Sequence, residues 1–182
     1  NYALRRCNKC EWKDVPLTVV LLYHNECNAL RLWSKNWGNL PSDIKSKVRL
    51  LVVDDNSELR ACNCVDGLKE GMTVLRVDDD LKWNIGGARN LGAYFSCSEY
   101  IFMADSDAYL SESLLNALLQ VISSGEADKN VVQFNRHRAF TGEETALIHP
   151  GMMLLSREMY WRTKGCDEDL VGKCITPAYA FV

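Results

Sequence analysis

Four short apolar runs, each stopping at a polar cluster, constrain this chain more than any other feature. They span 17–22, 48–53, 73–77 and 100–104 and are rich in branched or aromatic residues. Apolar runs of this length, without strict alternation, read as strands buried on both faces. Helical stripes lie between and after them. Leu30, Trp33 and Trp37 share one face of 26–37; Ala88, Leu91 and Phe95 one face of 86–97; Leu115, Leu118 and Ile122 one face of 112–122. Asn25 and Ser111 are placed to cap the first and last of these, and Gly38 followed by Pro41 to end the first. Strand patterns recur at 131–134 and 152–155, with a helical stretch near 157–160. Such alternation predicts an α/β fold, a mainly parallel sheet flanked by helices, and no internal repeat breaks it. In sheets of this kind ligands gather at the carboxyl ends of the strands.

The polar clusters fall at those ends. Tyr23-His24-Asn25-Glu26 follows the first run, Asp54-Asp55-Asn56-Ser57 the second and Asp105-Ser106-Asp107 the fourth. Two carboxylates one residue apart, where a strand stops, can reach one hard cation such as Mn²⁺ or Mg²⁺ and leave room for phosphate oxygens. The same pair also serves as a polar turn before a helix. Asp54 and Asp55 offer acceptors for a base N–H or a ribose hydroxyl, or else an Asx turn. The stretch 84–90 reads Asn-Ile-Gly-Gly-Ala-Arg-Asn, two glycines opening a helix with Arg89 in its first turn. A helix N-terminus with a guanidinium suits a diphosphate, although the spacing is neither a dinucleotide fingerprint nor a Walker A loop. Asp167-Glu168-Asp169 could supply a general base or form an exposed acidic turn.

Composition limits the alternatives. With 182 residues and 47% hydrophobic content the chain suits one globular domain over 1–182, with 1–15 as an N-terminal extension. A net charge of −3 and the lack of a basic run argue against nucleic acid as a partner. No apolar run is long enough to span a bilayer. The first residue is Asn, which suggests a piece of a longer protein whose anchor or second domain lies outside it. A cytoplasmic location is expected, with membrane association if such an anchor exists. Eight cysteines stand at irregular spacing. The expectation is free thiols in a reducing compartment, with no essential disulfide and no zinc. The alternative is a zinc site from Cys7, Cys10, Cys62 and Cys64.

Taken together, the motifs resemble the family 2 glycosyltransferases of the GT-A fold. That family runs Tyr-Asn-Glu, Val-Asp-Asp-x-Ser, Asn-x-Gly-x-Ala-Arg-Asn-x-Gly, D-x-D and Gly-Phe-Asp-Glu in order. This chain has Tyr23 to Glu26, Val53 to Ser57, Asn84 to Gly92, Asp105 to Asp107 and Gly165 to Glu168, in the same order. Each motif alone recurs by chance; the ordered set covers about 17–172. The resemblance implies a GT-A-type Rossmann-like sheet and transfer of sugar, with inversion, from a nucleoside-diphosphate sugar to a hydroxyl of a glycan, glycoprotein or glycolipid. A UDP-sugar is the expected donor. Donor contacts are expected from Tyr23, His24, Asn25, Glu26, Asp54, Asp55, Asn84, Gly87, Arg89, Asp105 and Ser106. Either Tyr23 or His24 would flank the base, Asp55 would touch base or ribose, and Arg89 would lie near the diphosphate. Asp107, with Asp105, would hold Mn²⁺ or Mg²⁺. Asp167 is the expected catalytic base, with Asp169 next and Glu168 serving the acceptor.

The family often carries a later Glu-Asp pair, and here 172–177 has no acid. That departure leaves open a nucleotide-sugar-binding module without a base. A haloacid-dehalogenase-like phosphohydrolase is the other alternative, with Asp105 as nucleophile and Asp107 as acid/base. Its motif normally lies on a first strand, and it does not continue with Tyr109.

Overall fold

A computed structural model describes residues 4–6, 15–82, 84–137 and 144–170. The chain runs β1 (Leu4–Arg6), β2 (Leu17–Tyr23), α1 (Cys27–Asn39), α2 (Ser42–Lys45), β3 (Val48–Asp55), α3 (Ala61–Cys64) and β4 (Met72–Val77). It continues through α4 (Ile85–Phe95), β5 (Tyr100–Ala104), α5 (Glu112–Ser123), β6 (Val132–His137), β7 (Glu144–Ser156) and α6 (Arg157–Arg162). Single 3-10 turns lie at Glu126–Asp128 and Glu168–Leu170.

The described strands form one sheet in the order β1-β4-β3-β2-β5-β7-β6. β4, β3, β2 and β5 are parallel, as the apolar runs predict. The edges are antiparallel: β1 on β4, then β7 on β5 and β6 on β7. The sheet is thus the mixed, mostly parallel one of a GT-A fold, covered by helices on both faces.

The pleat divides the core in two. Leu17, Val19, Leu21 and Tyr23 of β2 join Trp33 and Trp37 of α1 and Leu115 and Leu118 of α5 on one face. Val20, Leu51, Val53, Ile101 and Met103 meet Ala88 and Leu91 of α4 and Tyr160 of α6 on the other. This is the period of two that sends alternate side chains to opposite faces. α4 lies so close to β2 that a Cβ at Gly92 would sit 2.2 Å from Cγ1 of Val20.

Ser111 caps α5 as expected, its Oγ accepting from Leu114 N at 3.1 Å. Asn25 does not cap α1: it sits at φ 57, and Glu26 holds the cap position without a side-chain bond. Gly38 does not end α1, which runs on to Asn39. β7 is 13 residues long, far beyond the apolar stretch 152–155 that announced it, because pairing with β6 carries its first half.

The cysteine expectation is corrected. Cys27 at the start of α1 and Cys64 at the end of α3 form a disulfide, with Cα atoms 5.3 Å apart. Cys62 is disulfide-bonded as well. Neither Cys62 nor Cys64 is therefore a thiolate available to zinc. Cys7, Cys10 and Cys174 lie outside the described residues, while Cys97 and Cys166 are free thiols. No helix among the described residues is long and apolar enough to cross a membrane.

Candidate active site

The carboxyl ends of β2, β3 and β5 open on a cavity of about 280 Å³. Leu22, Tyr23, His24, Asp55, Ile85, Ala88, Arg89, Asp105, Ser106 and Asp107 line it. Three of the sequence clusters therefore meet in one place, joined by the first turn of α4.

On the β3 side the two aspartates divide the work. Asp54 is 1% exposed and fully engaged: Oδ1 accepts from Ser57 N at 2.9 Å, and Oδ2 from Ala61 N at 2.9 Å and Arg76 Nη1 at 3.0 Å. It builds the turn and, being buried, presents no open oxygen to a ligand. Arg76 also donates to Ser57 O and Asn56 Oδ1, fixing the left-handed Asn56 (φ 48). Asp55 faces the cavity, its Oδ1 accepting from Asn84 Nδ2 at 2.9 Å. Burial pushes the Asp55 carboxyl above the usual aspartate range, against the opposing pull of the Asn84 amide and of His24. Asn84 is itself fully buried, and its Oδ1 has no hydrogen-bond partner.

On the β2 side, parity turns the Tyr23 side chain into the core. Its hydroxyl donates to Leu59 O at 2.6 Å and meets Cys64 Sγ at 3.1 Å. Burial, then Asp54 and Glu26, raise its pKa. Of the pair expected to flank a base, only His24 is exposed, its Nδ1 2.8 Å from Asp55 O. Asn25 spends its backbone N–H on Ser57 Oγ and its Oδ1 on Leu59 N. Glu26 is exposed and Gly87 is buried in the first turn of α4.

The β5 side holds the candidate metal ligands. Arg89 does not point free toward a diphosphate. It is 1% exposed, and Nη2 donates to Asp105 Oδ1 and to Gly151 O, both at 3.1 Å. It fixes Asp105. Asp105, Asp107 and His149 bring one ligand atom each within 4.8 Å of one another. His149 Nδ1 lies 3.8 Å from Asp105 Oδ2, and Nε2 lies 3.7 Å from Asp107 Oδ1. Asp107 is 80% exposed and Asp105 28%. Two carboxylates and an imidazole form an oxygen–nitrogen set suited to a divalent cation of the Mn²⁺ type.

Sequence reasoning missed His149. β7 pairs with β5 so that Met103 faces Met153. Continuing that register past the end of β5 sets Gly151 beside Asp105 and His149 beside Asp107. Gly151 must be small: a Cβ there would sit 1.9 Å from Asp105 Oδ2. A lone histidine before Pro150-Gly151 carries no pattern; only the register identifies it.

Asp167 and Glu168 line a different cavity, of about 430 Å³, together with residues 162–166. The acidic residues therefore do not join the wall of the first cavity. They are tied to α4, where a Cβ on Gly86 would come 3.6 Å from Asp167 O. Asp167 Oδ1 accepts from Asp169 N at 3.0 Å, and Asp167, Glu168 and Asp169 are all exposed.

The sequence model of glycosyl transferase family 2 matches residues 18–176. A comparison with curated protein sequences finds no match. Among solved structures, S. aureus TarS 1–349 in complex with UDP-GlcNAc is similar, with a TM-score of 0.66 at 15% identity over 92% of this chain and 53% of that chain. The mannosyltransferase PcManGT from Pyrobaculum calidifontis, in complex with GDP-Man and Mn2+, gives a TM-score of 0.56 at 19% identity over 88% of this chain and 52% of that chain. The chain thus spans about half the length of these structures, which share its fold. With the family pattern matched over most of its length on a sheet of this kind, the chain belongs to glycosyl transferase family 2.

Proposed function

We propose that this domain moves a sugar from a nucleoside-diphosphate sugar to an acceptor hydroxyl, with inversion, using a divalent cation at Asp105, Asp107 and His149. The observation that carries it is the convergence of these three side chains beside the cavity walled by His24 and Asp55. A cation held there would neutralise the diphosphate and ease its departure. The imidazole favours Mn²⁺ over Mg²⁺, which prefers oxygen ligands.

The protein's own groups supply the rest. Asp55, with one oxygen held by Asn84, presents the other to a base N–H or ribose hydroxyl; uracil in a UDP-sugar offers such an N–H. His24 offers a ring face at the rim. Asp167 takes the proton of the acceptor hydroxyl, whose oxygen bonds to the anomeric carbon as the bond to the diphosphate oxygen breaks. Glu168 serves the acceptor and Asp169 is the alternative base. The acceptor is a glycan, glycoprotein or glycolipid. The Cys27–Cys64 disulfide supports folding in an oxidising compartment rather than the reducing cytoplasm.

Family membership removes the phosphohydrolase alternative, and the experiment decides the binding-module one. A panel of UDP- and GDP-sugars is incubated with Mn²⁺, Mg²⁺ or chelator, and nucleotide release onto water and sugar acceptors is measured. Mn²⁺-dependent release is expected, abolished by Asp107→Ala. Mn²⁺-dependent binding without release of any nucleotide would leave a binding module.

A further inference from the structure

Asn90 follows Arg89 on α4 and points to the loop that carries Asp167-Glu168-Asp169. It is 9% exposed and uses all the hydrogen-bonding capacity of its amide. Oδ1 accepts from Tyr160 OH at 2.7 Å and from Cys166 N–H at 2.9 Å. Nδ2 donates to Cys166 O at 2.9 Å and to Glu168 Oε1 at 2.8 Å. The residues on both sides of Asp167 are therefore held by one buried side chain. Burial keeps Tyr160 protonated, so its hydroxyl remains a donor to that amide. The approach is close enough that a Cβ at Gly165 would lie 2.6 Å from Asn90 Oδ1, and Gly165 sits at φ 68.

A purely structural amide needs only the backbone contacts to Cys166. The further bond to Glu168 is charge-assisted and immobilises a long, solvent-facing side chain, an entropic cost that buys orientation of a carboxylate. One residue earlier, Arg89 fixes Asp105 through the same helix. Adjacent residues of α4 thus anchor the candidate metal ligand and the acidic loop to one helix.

We infer that Asn90 is a positioning residue for transfer: it holds residues 166 and 168 so that the Asp167 carboxylate is presented to the acceptor while Glu168 is oriented beside it. This rests on the glycosyl-transfer reading. A positional error of about 1 Å in a reacting group costs on the order of 100-fold in rate. The donor contacts lie on other residues and would be untouched.

The test uses Asn90→Asp, which keeps the shape and both accepting contacts but loses both donors. Asn90→Ser, which adds no charge, is the second variant. UDP affinity with Mn²⁺ is measured by calorimetry, and kcat and donor KM are measured with the sugar panel. Hydrogen exchange is followed at 165–169. The expected result is a kcat lowered about 100-fold, unchanged UDP affinity and donor KM, and faster exchange confined to 165–169. Wild-type kcat in either variant overturns the inference. So does a parallel loss of UDP affinity and of exchange protection throughout the chain, which marks a structural residue only. The double variant Asp167→Asn with Glu168→Gln separates the two readings. If it is inactive while the Asn90 variants are normal, only the positioning role falls. If it transfers normally, the acidic loop is not catalytic and the positioning role falls while glycosyl transfer stands; a wild type that transfers no sugar from any donor removes the transfer reading itself.

Discussion

Arg89 and Asp105 form an ion pair in which the guanidinium is buried and the carboxylate is partly open. Nη2 takes Oδ1 of Asp105, which leaves Oδ2 turned toward His149. Arg89 accordingly acts on a cation through Asp105 rather than by touching phosphate. Arg89→Lys removes Nη2, which donates to both Asp105 Oδ1 and Gly151 O, and should lower Mn²⁺ affinity by about 10–100-fold, the usual effect of removing a partner of a metal ligand. Calorimetric titration with Mn²⁺ alone reads this; unchanged affinity would return Arg89 to a packing role.

His149→Ala should weaken Mn²⁺ binding and leave UDP binding in the absence of metal as it was. Asp107→Ala should abolish metal-dependent nucleotide binding, since the protein offers few ligands there. Electron paramagnetic resonance of bound Mn²⁺ distinguishes the two. An unaltered spectrum in His149→Ala would remove the imidazole from the coordination sphere.

Gly151→Ala tests the same site from the backbone. The new methyl would meet Oδ2 of Asp105 and Nη2 of Arg89, so the carboxylate must move. Mn²⁺ affinity should drop at least as far as in His149→Ala, and overpacking should cost about 1–3 kcal/mol of stability. Chemical denaturation together with the metal titration checks both.

Asp55 sets stability against function. Its pKa is raised above the ordinary aspartate value, chiefly by burial. A raised folded pKa means that the native state binds the proton more tightly than the unfolded chain. The stabilisation is therefore complete below the unfolded pKa and is lost as pH rises through the folded one. Asp55→Asn should lose that pH dependence, measured as the urea midpoint from pH 3 to pH 7. The variant should also bind UDP more weakly by about 1.5–3 kcal/mol. If wild type and variant keep parallel pH profiles, Asp55 is not desolvated.

The disulfide closes a separation of 37 residues between Cys27 and Cys64. On the chain-entropy account that length corresponds to about 4 kcal/mol. Urea unfolding of the oxidised protein against Cys27→Ser/Cys64→Ser should show most of it. Equal midpoints would mean that the bridge is dispensable.

Much of this was legible in the residues. β5 and α5 follow the apolar pattern almost to the residue, because there the pattern is what packs. Asp55, Asp105 and Asp107, which line the cavity, stand out in the sequence because a carboxylate that ends an apolar run is conspicuous. Tyr23 and His24 stand as alternatives to flank a base, although the parity of Tyr23 with Leu17, Val19 and Leu21 already puts it in the core. The first half of β7 was invisible, since Pro150-Gly151 reads as a turn while the strand is set by its neighbours. The Cys27–Cys64 pairing was equally hidden: eight cysteines permit far too many pairings for spacing to choose.

The reach of β7 past the end of β5 imposes a counting rule on any variant of this chain. Met153 and Leu155 point to one side of the sheet, Met152 and Leu154 to the other. His149 shares its parity with the first pair. Deleting or inserting one residue between His149 and Ser156 would exchange the imidazole for Ile148 or Pro150 at the carboxylates. A change of two would restore the side but shift it by about 7 Å along the strand. In a library of natural or shuffled sequences, gaps should therefore be absent from this stretch even where the residues themselves vary.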